Sequence, residues 1–142
     1  MSGPRHLARE AALQVLYFWE VGQATPAQAL EAYFAEHAAE AAGDVRRLAG
    51  EIVRGTAAEK DALDELIGQH AEHWRVERIA IIDRLILRMA IWELRHLPDT
   101  PAAVVIDEAI ELARAFGTDE SPRFVNGLLD AVRRTLDARG AD

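Results

Sequence analysis

The sequence predicts an all-α fold, and three observations support this prediction. Apolar residues recur at helical spacing along most of the chain, and no stretch alternates apolar and polar residues for long enough to suggest a sheet. Proline, glycine and capping residues separate the apolar segments at short intervals. The β-branched run from Ala103 to Ile106 continues directly into helical spacing. With 142 residues the chain is long enough for one self-sufficient domain, residues 1–142, containing six or seven helices.

Short signals mark the helix boundaries in the first half of the chain. Pro4 is expected to open the first helix, because proline is favoured at the first helical position. Thr25-Pro26-Ala27-Gln28 predicts an N-cap, a first-turn proline and the glutamine of a capping box. Gly43 is expected to end the second helix and Asp44 to cap the third. The third segment then runs to about His70, with glycines that could allow close helix approach or a bend.

Similar signals divide the second half. Asp83 is expected to precede one helix, and Thr100-Pro101 to open the next, which ends before Gly117. Ser121-Pro122 is expected to open the last helix. The segment from His70 to Ile81 leaves two alternatives open, a short helix or a break.

Composition excludes several classes of protein. A formal net charge of -8 argues against non-specific coating of nucleic acid, which clustered positive charge drives. Lys60 is the only lysine, so nearly every cation is a guanidinium that can stack or bind phosphate, although genomic base composition could also explain this bias. The absence of cysteine excludes disulfides and thiolate zinc sites. Because we find no signal peptide and no run of ~20 apolar residues, we expect a soluble cytoplasmic protein.

The first helix has two faces when each residue is given about 100° of rotation. On the outer face, Arg5, Arg9 and Tyr17 follow one another at i, i+4 type spacings, and unpaired nucleic acid needs this combination of charges and an aromatic ring. The alternative is an ordinary solvated face. The outer face also holds His6, Glu10, Gln14 and Leu13, and the predicted core face holds Leu7, Ala8, Ala11, Ala12, Val15, Leu16, Phe18 and Trp19.

The start of the last helix forms a second group. Phe124 and Arg123 lie in its first turn, where free backbone N–H groups and the helix dipole favour an anion such as phosphate. The alternative is that Phe124 anchors the helix to the core. Asn126 could bond a neighbouring loop, and Gly127 could allow another helix to approach.

Enzyme and metal interpretations are weak. The carboxylates are expected to be surface charges on helices and not an acid–base pair in a cleft. His70 and His73 lie three residues apart, yet the sequence signals no third metal ligand. No nucleophile elbow and no phosphate-binding glycine loop occurs. We therefore expect neither catalysis nor a metal or cofactor. The carboxylates considered are Asp83, Glu93, Asp107, Glu108 and Glu111.

Four segments of the chain form a recognisable set: AREAALQVLYFWE, IDRLILRMAIWEL, VIDEAIELARAFG and SPRFVNGLLDAV. In their order and approximate spacing they resemble the NusB family of transcription antitermination factors. The resemblance implies an all-α fold of about seven helices in two packed sub-bundles. It also implies an adaptor without enzymatic activity. Such an adaptor binds single-stranded boxA RNA of ribosomal RNA transcripts and a small-subunit ribosomal protein acting as NusE, and joins RNA polymerase.

The resemblance also assigns residues. It places an RNA surface on the first helix and on the loop and start of the last helix. As a separate hypothesis, we expect polar groups near Glu120 and Asn126 to read base edges. The chain departs from the family at His6 and Leu7, where many members carry more cations, and at Asp107, where asparagine is usual. RNA affinity without the protein partner is therefore expected to be modest. The expected RNA-binding residues are Arg5, Arg9, Tyr17, Glu120, Arg123, Phe124 and Asn126.

The family binds NusE through its middle helices. The exposed side of that region is expected to offer Arg84, Arg88, Trp92 and Glu93, although Arg88 could instead pair with an acidic residue inside the domain. A rival interpretation is a self-associating helical module, a possible homodimer whose interface masks the RNA site. A further alternative is the accessory domain of an RNA-modifying enzyme, here without a cofactor-binding motif.

Overall fold

A computed structural model of the chain describes residues 3–37, 43–71 and 75–140. Within these ranges the backbone forms α-helices, a single 3-10 turn at Val76–Arg78 and no strand, which confirms the all-α prediction. The described helices are α1 (Pro4–Val21), α2 (Pro26–Glu36), α3 (Gly43–Ala58), α4 (Lys60–His70), α5 (Ile81–His96), α6 (Ala102–Phe116) and α7 (Ser121–Gly140).

The chain forms two compact units, one up to Ala58 and one from Glu59 onward, in agreement with the two sub-bundles that the resemblance implies. In the first unit α1, α2 and α3 pack against one another. In the second unit α5 contacts α4, α6 and α7, and α7 also contacts α4 and α6. The single domain over residues 1–142 stays a prediction. No helix within the described residues combines the length and the apolar character needed to cross a membrane.

The caps of the first two helices follow the sequence signals. Pro4 is the first residue of α1, as predicted. At α2 the Gln28 amide donates to the Thr25 hydroxyl at 3.1 Å, and the Thr25 amide donates to the Gln28 side-chain oxygen at 2.9 Å. This reciprocal pair satisfies two backbone donors that would otherwise be unpaired, and it confirms the predicted capping box.

Three predicted boundaries were wrong. Gly43 is the first residue of α3 and Asp44 lies in its first turn, so neither ends or caps a helix. The segment predicted to run to His70 is two helices, and it breaks at Glu59 and not at a glycine. Asp83 is the third residue of α5, which begins at Ile81. Acidic residues stabilise the whole first turn of a helix, so Asp44 and Asp83 indicate the right region without fixing the first residue.

The helical wheel of α1 misplaced three large apolar side chains. Leu13, expected on the outer face, is fully buried, whereas Leu7 and Phe18, expected in the core, are 38% and 57% exposed. A wheel assumes one buried arc along the whole helix, but the middle turns of α1 are covered more widely than its two ends. The exposed end of α1 therefore carries Tyr17, Phe18 and Val21.

Candidate nucleic-acid interface

Of the three RNA-binding residues predicted on α1, one differs from its prediction. Arg5 and Tyr17 are exposed, but Arg9 is only 3% exposed and is counted among the buried residues of the helix. Arg9 was therefore wrongly expected on the outer face. A buried guanidinium group needs a partner, and Arg9 has one. Beside it, His6 Nε2 lies 2.9 Å from Glu10 Oε1. The outer face of α1 thus holds fewer available cations than the sequence suggested.

The connection between α6 and α7 fixes the direction in which α7 starts. Ser121 is almost fully buried, its amide donates to the Thr118 carbonyl at 3.0 Å, and its hydroxyl accepts from the Thr118 amide at 2.9 Å. The hydroxyl therefore ties the start of α7 back to the loop. Gly117 leaves room for this contact, because a Cβ there would lie 2.6 Å from Ser121 Cβ and 2.8 Å from the Ala113 carbonyl oxygen.

The tight turn presents the predicted residues of α7 around one cavity. Glu120 and Arg123 are exposed and Phe124 is half-buried, and all three line a cavity of about 400 Å³ within the second unit. The half-buried Phe124 ring agrees in part with both alternatives, an anchor to the core and an RNA-binding residue, because one portion packs on the protein and the remainder stays open. Arg78, Ile79, Ala80 and Asp83 complete the lining, and the sequence analysis assigned none of them to this site. Three of the four lie in the segment whose structure the sequence left open.

Asn126 and Gly127 lie one turn further along α7. Both are exposed, and a Cβ added to Gly127 would meet nothing within 4 Å. The suggestion that Gly127 allows a neighbouring helix to approach is therefore wrong. Nothing in the packing of the described residues requires a glycine at this position, although glycine inside a helix costs roughly 1 kcal/mol relative to alanine.

The proposed NusE-facing residues on α5 are mostly internal. Arg88 is 2% exposed and donates from Nε and Nη2 to the two Asp64 oxygens at 2.7 and 2.9 Å. Trp92 and Glu93 are 7% and 2% exposed. The expected exposure was wrong for these three, because α4, α6 and α7 all pack on α5 and leave little of it open. The internal pairing of Arg88 is confirmed, Arg84 remains half-exposed, and a partner role for the four residues stays a prediction.

The candidate metal ligands do not form a described site. The structure shows no group of three or more histidine, cysteine or acidic side chains suited to a metal among residues 3–37, 43–71 and 75–140. His70 Nε2 lies 3.1 Å from the Thr135 hydroxyl, which joins α4 to α7. His73 lies outside the described residues.

Comparison with known families decides the classification. The model of the NusB family matches residues 6–134. The chain belongs to the NusB family. It is 44% identical over 137 residues to the transcription antitermination protein NusB of Myxococcus xanthus, covering 95% of this chain and 98% of the relative. It is 41% identical over 132 residues to that of Geobacillus kaustophilus, covering 93% and 97%. This NusB-family chain is accordingly a transcription antitermination factor.

Solved structures support the same fold. T. maritima NusB superposes with a TM-score of 0.85 at 33% identity, covering 94% of this chain and 93% of that one. A crystal structure of antitermination factors NusB and NusE in complex with dsRNA matches with a TM-score of 0.85 at 24% identity, covering 95% and 99%. At this lower identity the second similarity shows the fold alone.

Proposed function

We propose that this NusB-family chain binds single-stranded boxA RNA of ribosomal RNA transcripts together with a small-subunit ribosomal protein acting as NusE. The assembly then serves as an adaptor on RNA polymerase in the bacterial cytoplasm. The observation that carries the proposal is the convergence of Glu120, Arg123 and Phe124 on one cavity at the start of α7. Family membership supports the proposal, because relatives at 41 to 44% identity carry the description of transcription antitermination protein.

The half-open ring of Phe124 favours unpaired RNA over a duplex. An aromatic side chain binds a base by stacking on its face, and in a duplex that face is covered by the neighbouring base pairs. Such stacking contributes about 1 to 3 kcal/mol per base with little sequence preference. The exposed ring of Tyr17 offers a second face of this kind. We infer that Asn126 and Glu120, both exposed, contribute hydrogen bonds to base edges.

Exposed arginines supply the remaining affinity for RNA, and the negative net charge of the chain limits it. Arg5 and Arg123 are exposed and suited to phosphate, whereas Arg9 is buried, so its contribution to the RNA surface is smaller than proposed from the sequence. The net charge of -8 works against a polyanion. The chain alone is therefore expected to bind RNA weakly, and a basic protein partner is expected to supply positive charge.

Co-purification tests the proposed function. The chain is mixed with the NusE-type ribosomal protein, with and without boxA RNA, at two salt concentrations. We expect a stable ternary complex at the lower salt and weaker RNA retention at the higher, because phosphate contacts release counterions. Sedimentation of the chain with and without RNA tests the homodimer alternative, in which RNA would convert a dimer to a monomer. No retention of boxA RNA at either salt would contradict the proposal.

Fluorescence anisotropy with the same RNA and partner tests the site. Phe124→Ala is expected to weaken binding by about 1 to 3 kcal/mol, the contribution of one stacked base. Val104→Ala is the control, because Val104 is an exposed apolar residue at the opposite end of α6 from the loop that leads into α7. Equal affinity for Phe124→Ala and the wild-type chain would remove this ring from the RNA site.

A further inference from the structure

A groove between α2 and α3, within the first unit, is not used by the proposed RNA site. It has a volume of about 380 Å³. Its floor is apolar, since Leu30 and Phe34 are buried, and its α3 side carries two exposed arginines, Arg46 and Arg54. Within the part of the chain that the structure describes, neither arginine forms an ion pair, although the sequence offers 24 acidic residues against 16 basic ones. The groove therefore presents two cations whose charge is not matched by a neighbouring carboxylate.

Gly50 allows the Arg54 guanidinium to lie against the backbone of α3. The three atoms nearest to a Cβ placed on Gly50 all belong to this group, with Nη2 at 2.9 Å, Nη1 at 3.1 Å and Cζ at 3.2 Å. The guanidinium therefore occupies the space that a side chain at position 50 would fill. Glycine is unfavourable inside a helix, and here it leaves room for a charged group to rest in the groove.

Arg46 is positioned by an aromatic ring. Its Cζ lies 5.0 Å from the centre of the Phe34 ring, within the range of a cation–π contact. Such a contact holds the guanidinium in place but uses none of its N–H donors, which remain for an acceptor. Arg46, Gly50 and Arg54 follow one another four residues apart, so both guanidinium groups lie on one side of α3. The groove thus combines two positioned cations with an apolar floor.

The walls of the groove favour carboxylates of a protein over RNA. A base needs an open ring face, but Phe34 is only 5% exposed, Arg46 covers it, and the Tyr33 ring lies perpendicular to it at 5.1 Å. On the α2 side the exposed Glu31 repels a backbone that carries a phosphate at every nucleotide. A peptide instead places carboxylates only where the arginines are, and a carboxylate accepts two parallel hydrogen bonds from one guanidinium.

We propose that the groove between α2 and α3 binds an acidic segment of a partner protein. Two carboxylates of the segment accept hydrogen bonds from Arg46 and Arg54, and an apolar side chain between them packs on Leu30 and Phe34. The groove lies wholly within the first unit, whereas the cavity that carries the proposed function lies in the second. This binding requires neither RNA nor NusE, and it gives the chain a further surface on which an adaptor can hold another protein.

Peptide titration of the ¹⁵N-labelled full chain tests the proposal by NMR. The probe is acetyl-Glu-Leu-Leu-Glu-amide, and the signals are the amides of Phe34, Gly50 and Arg54. Two comparison peptides replace both glutamates by glutamine or both leucines by serine. We expect the probe to bind roughly three- to tenfold more tightly than the glutamine peptide, the size expected of two exposed charge pairs, and this ratio to fall at high salt. The serine peptide is also expected to bind more weakly, because it leaves the apolar floor uncovered.

The variant Gly50→Ala separates the binding role of Arg54 from a structural one. The added Cβ displaces the end of a flexible side chain, so the urea midpoint of unfolding is expected to stay the same or to rise. The preference for glutamate over glutamine is nevertheless expected to fall to the level of Arg54→Gln. Arg47→Gln is the matched control, because it removes the same charge from α3 but lies outside the groove lining and pairs with Asp44 at 3.4 Å.

Several outcomes would overturn the proposal. These are equal affinity for the glutamate and glutamine peptides, an equal loss in Arg47→Gln and Arg54→Gln, or an unchanged preference in both Arg54→Gln and Gly50→Ala. The peptide comparison on the wild-type chain decides the matter even if a variant does not fold. Shifts of the same amides by oligouridylate, with none by the glutamate peptide, would overturn the proposal and assign the groove to RNA. Retention of boxA RNA by the chain and NusE, without a glutamate preference at these amides, would overturn the groove assignment and leave the proposed function standing.

Discussion

Replacing Asp64 by alanine is expected to destabilise the second unit strongly. The Arg88 side chain is 2% exposed and directs two hydrogen bonds of 2.7 and 2.9 Å to Asp64, whose own side chain is 24% exposed. Removing the carboxylate leaves a buried guanidinium without this counter-charge, and breaking a buried pair costs about 3 to 5 kcal/mol. Because Asp64 is partly solvated, we expect the lower end, about 3 kcal/mol.

Urea denaturation followed by circular dichroism measures this change in the free energy of unfolding. Arg134→Gln is the control, since the Arg134–Asp130 pair spans 3.2 Å with side chains 72% and 53% exposed, and such exposed pairs contribute at most about 1 kcal/mol. A stability of Asp64→Ala within about 0.5 kcal/mol of the wild type would refute the structural role of the pair. Loss of NusE binding without loss of stability in Arg88→Met would instead return Arg88 to the partner surface.

Three further predictions use the same denaturation assay. Gly117→Ala is expected to destabilise the fold by roughly 1 to 3 kcal/mol, because the added Cβ has no room. Gly127→Ala is expected to stabilise it by up to about 1 kcal/mol. Changes of the same sign in the free energy of unfolding of both variants would contradict this account. Thr25→Ala is expected to cost about 1 kcal/mol through loss of the α2 cap, and no change would refute that contribution. Leu13→Ala is expected to lower the free energy of unfolding by about 2 to 5 kcal/mol, and Phe18→Ala by less than about 0.5 kcal/mol. A larger loss for Phe18→Ala than for Leu13→Ala would show that the observed burial pattern of α1 is wrong.

Helix identity and local caps could be predicted from the sequence because their causes are local. The capping box at Thr25 and Gln28 is formed by residues three apart, and Gly117 follows α6 where the pattern placed it. The break at Glu59 could not be predicted, since no proline or glycine marks it. A sequence shows propensity for a helix along both sides of such a break and carries no local signal for the change of direction.

Burial of charged residues was the main failure, and it has a physical reason. A helical wheel shows which residues share a face but not how many neighbours the helix has. α5 is enclosed by three helices, so Glu93 lies inside although it was expected to be a surface charge, and Arg88 takes the internal position that the sequence left open as an alternative. Phe124 and Arg123 line one cavity at the start of α7, and their role in RNA binding stays a prediction. Asp83 and Arg78 line the same cavity and were not assigned to it, because they come from a segment distant in sequence.

A transcription readthrough assay tests the central claim most directly. RNA polymerase transcribes a template with boxA upstream of a terminator, in the presence of NusE, the other Nus factors and limiting amounts of this chain. The account predicts that the wild-type chain and Val104→Ala increase readthrough equally and that Phe124→Ala needs a several-fold higher concentration, consistent with about 1 to 3 kcal/mol per stacked base. Full readthrough with Phe124→Ala at the wild-type concentration would contradict the claim that this end of α7 binds the RNA.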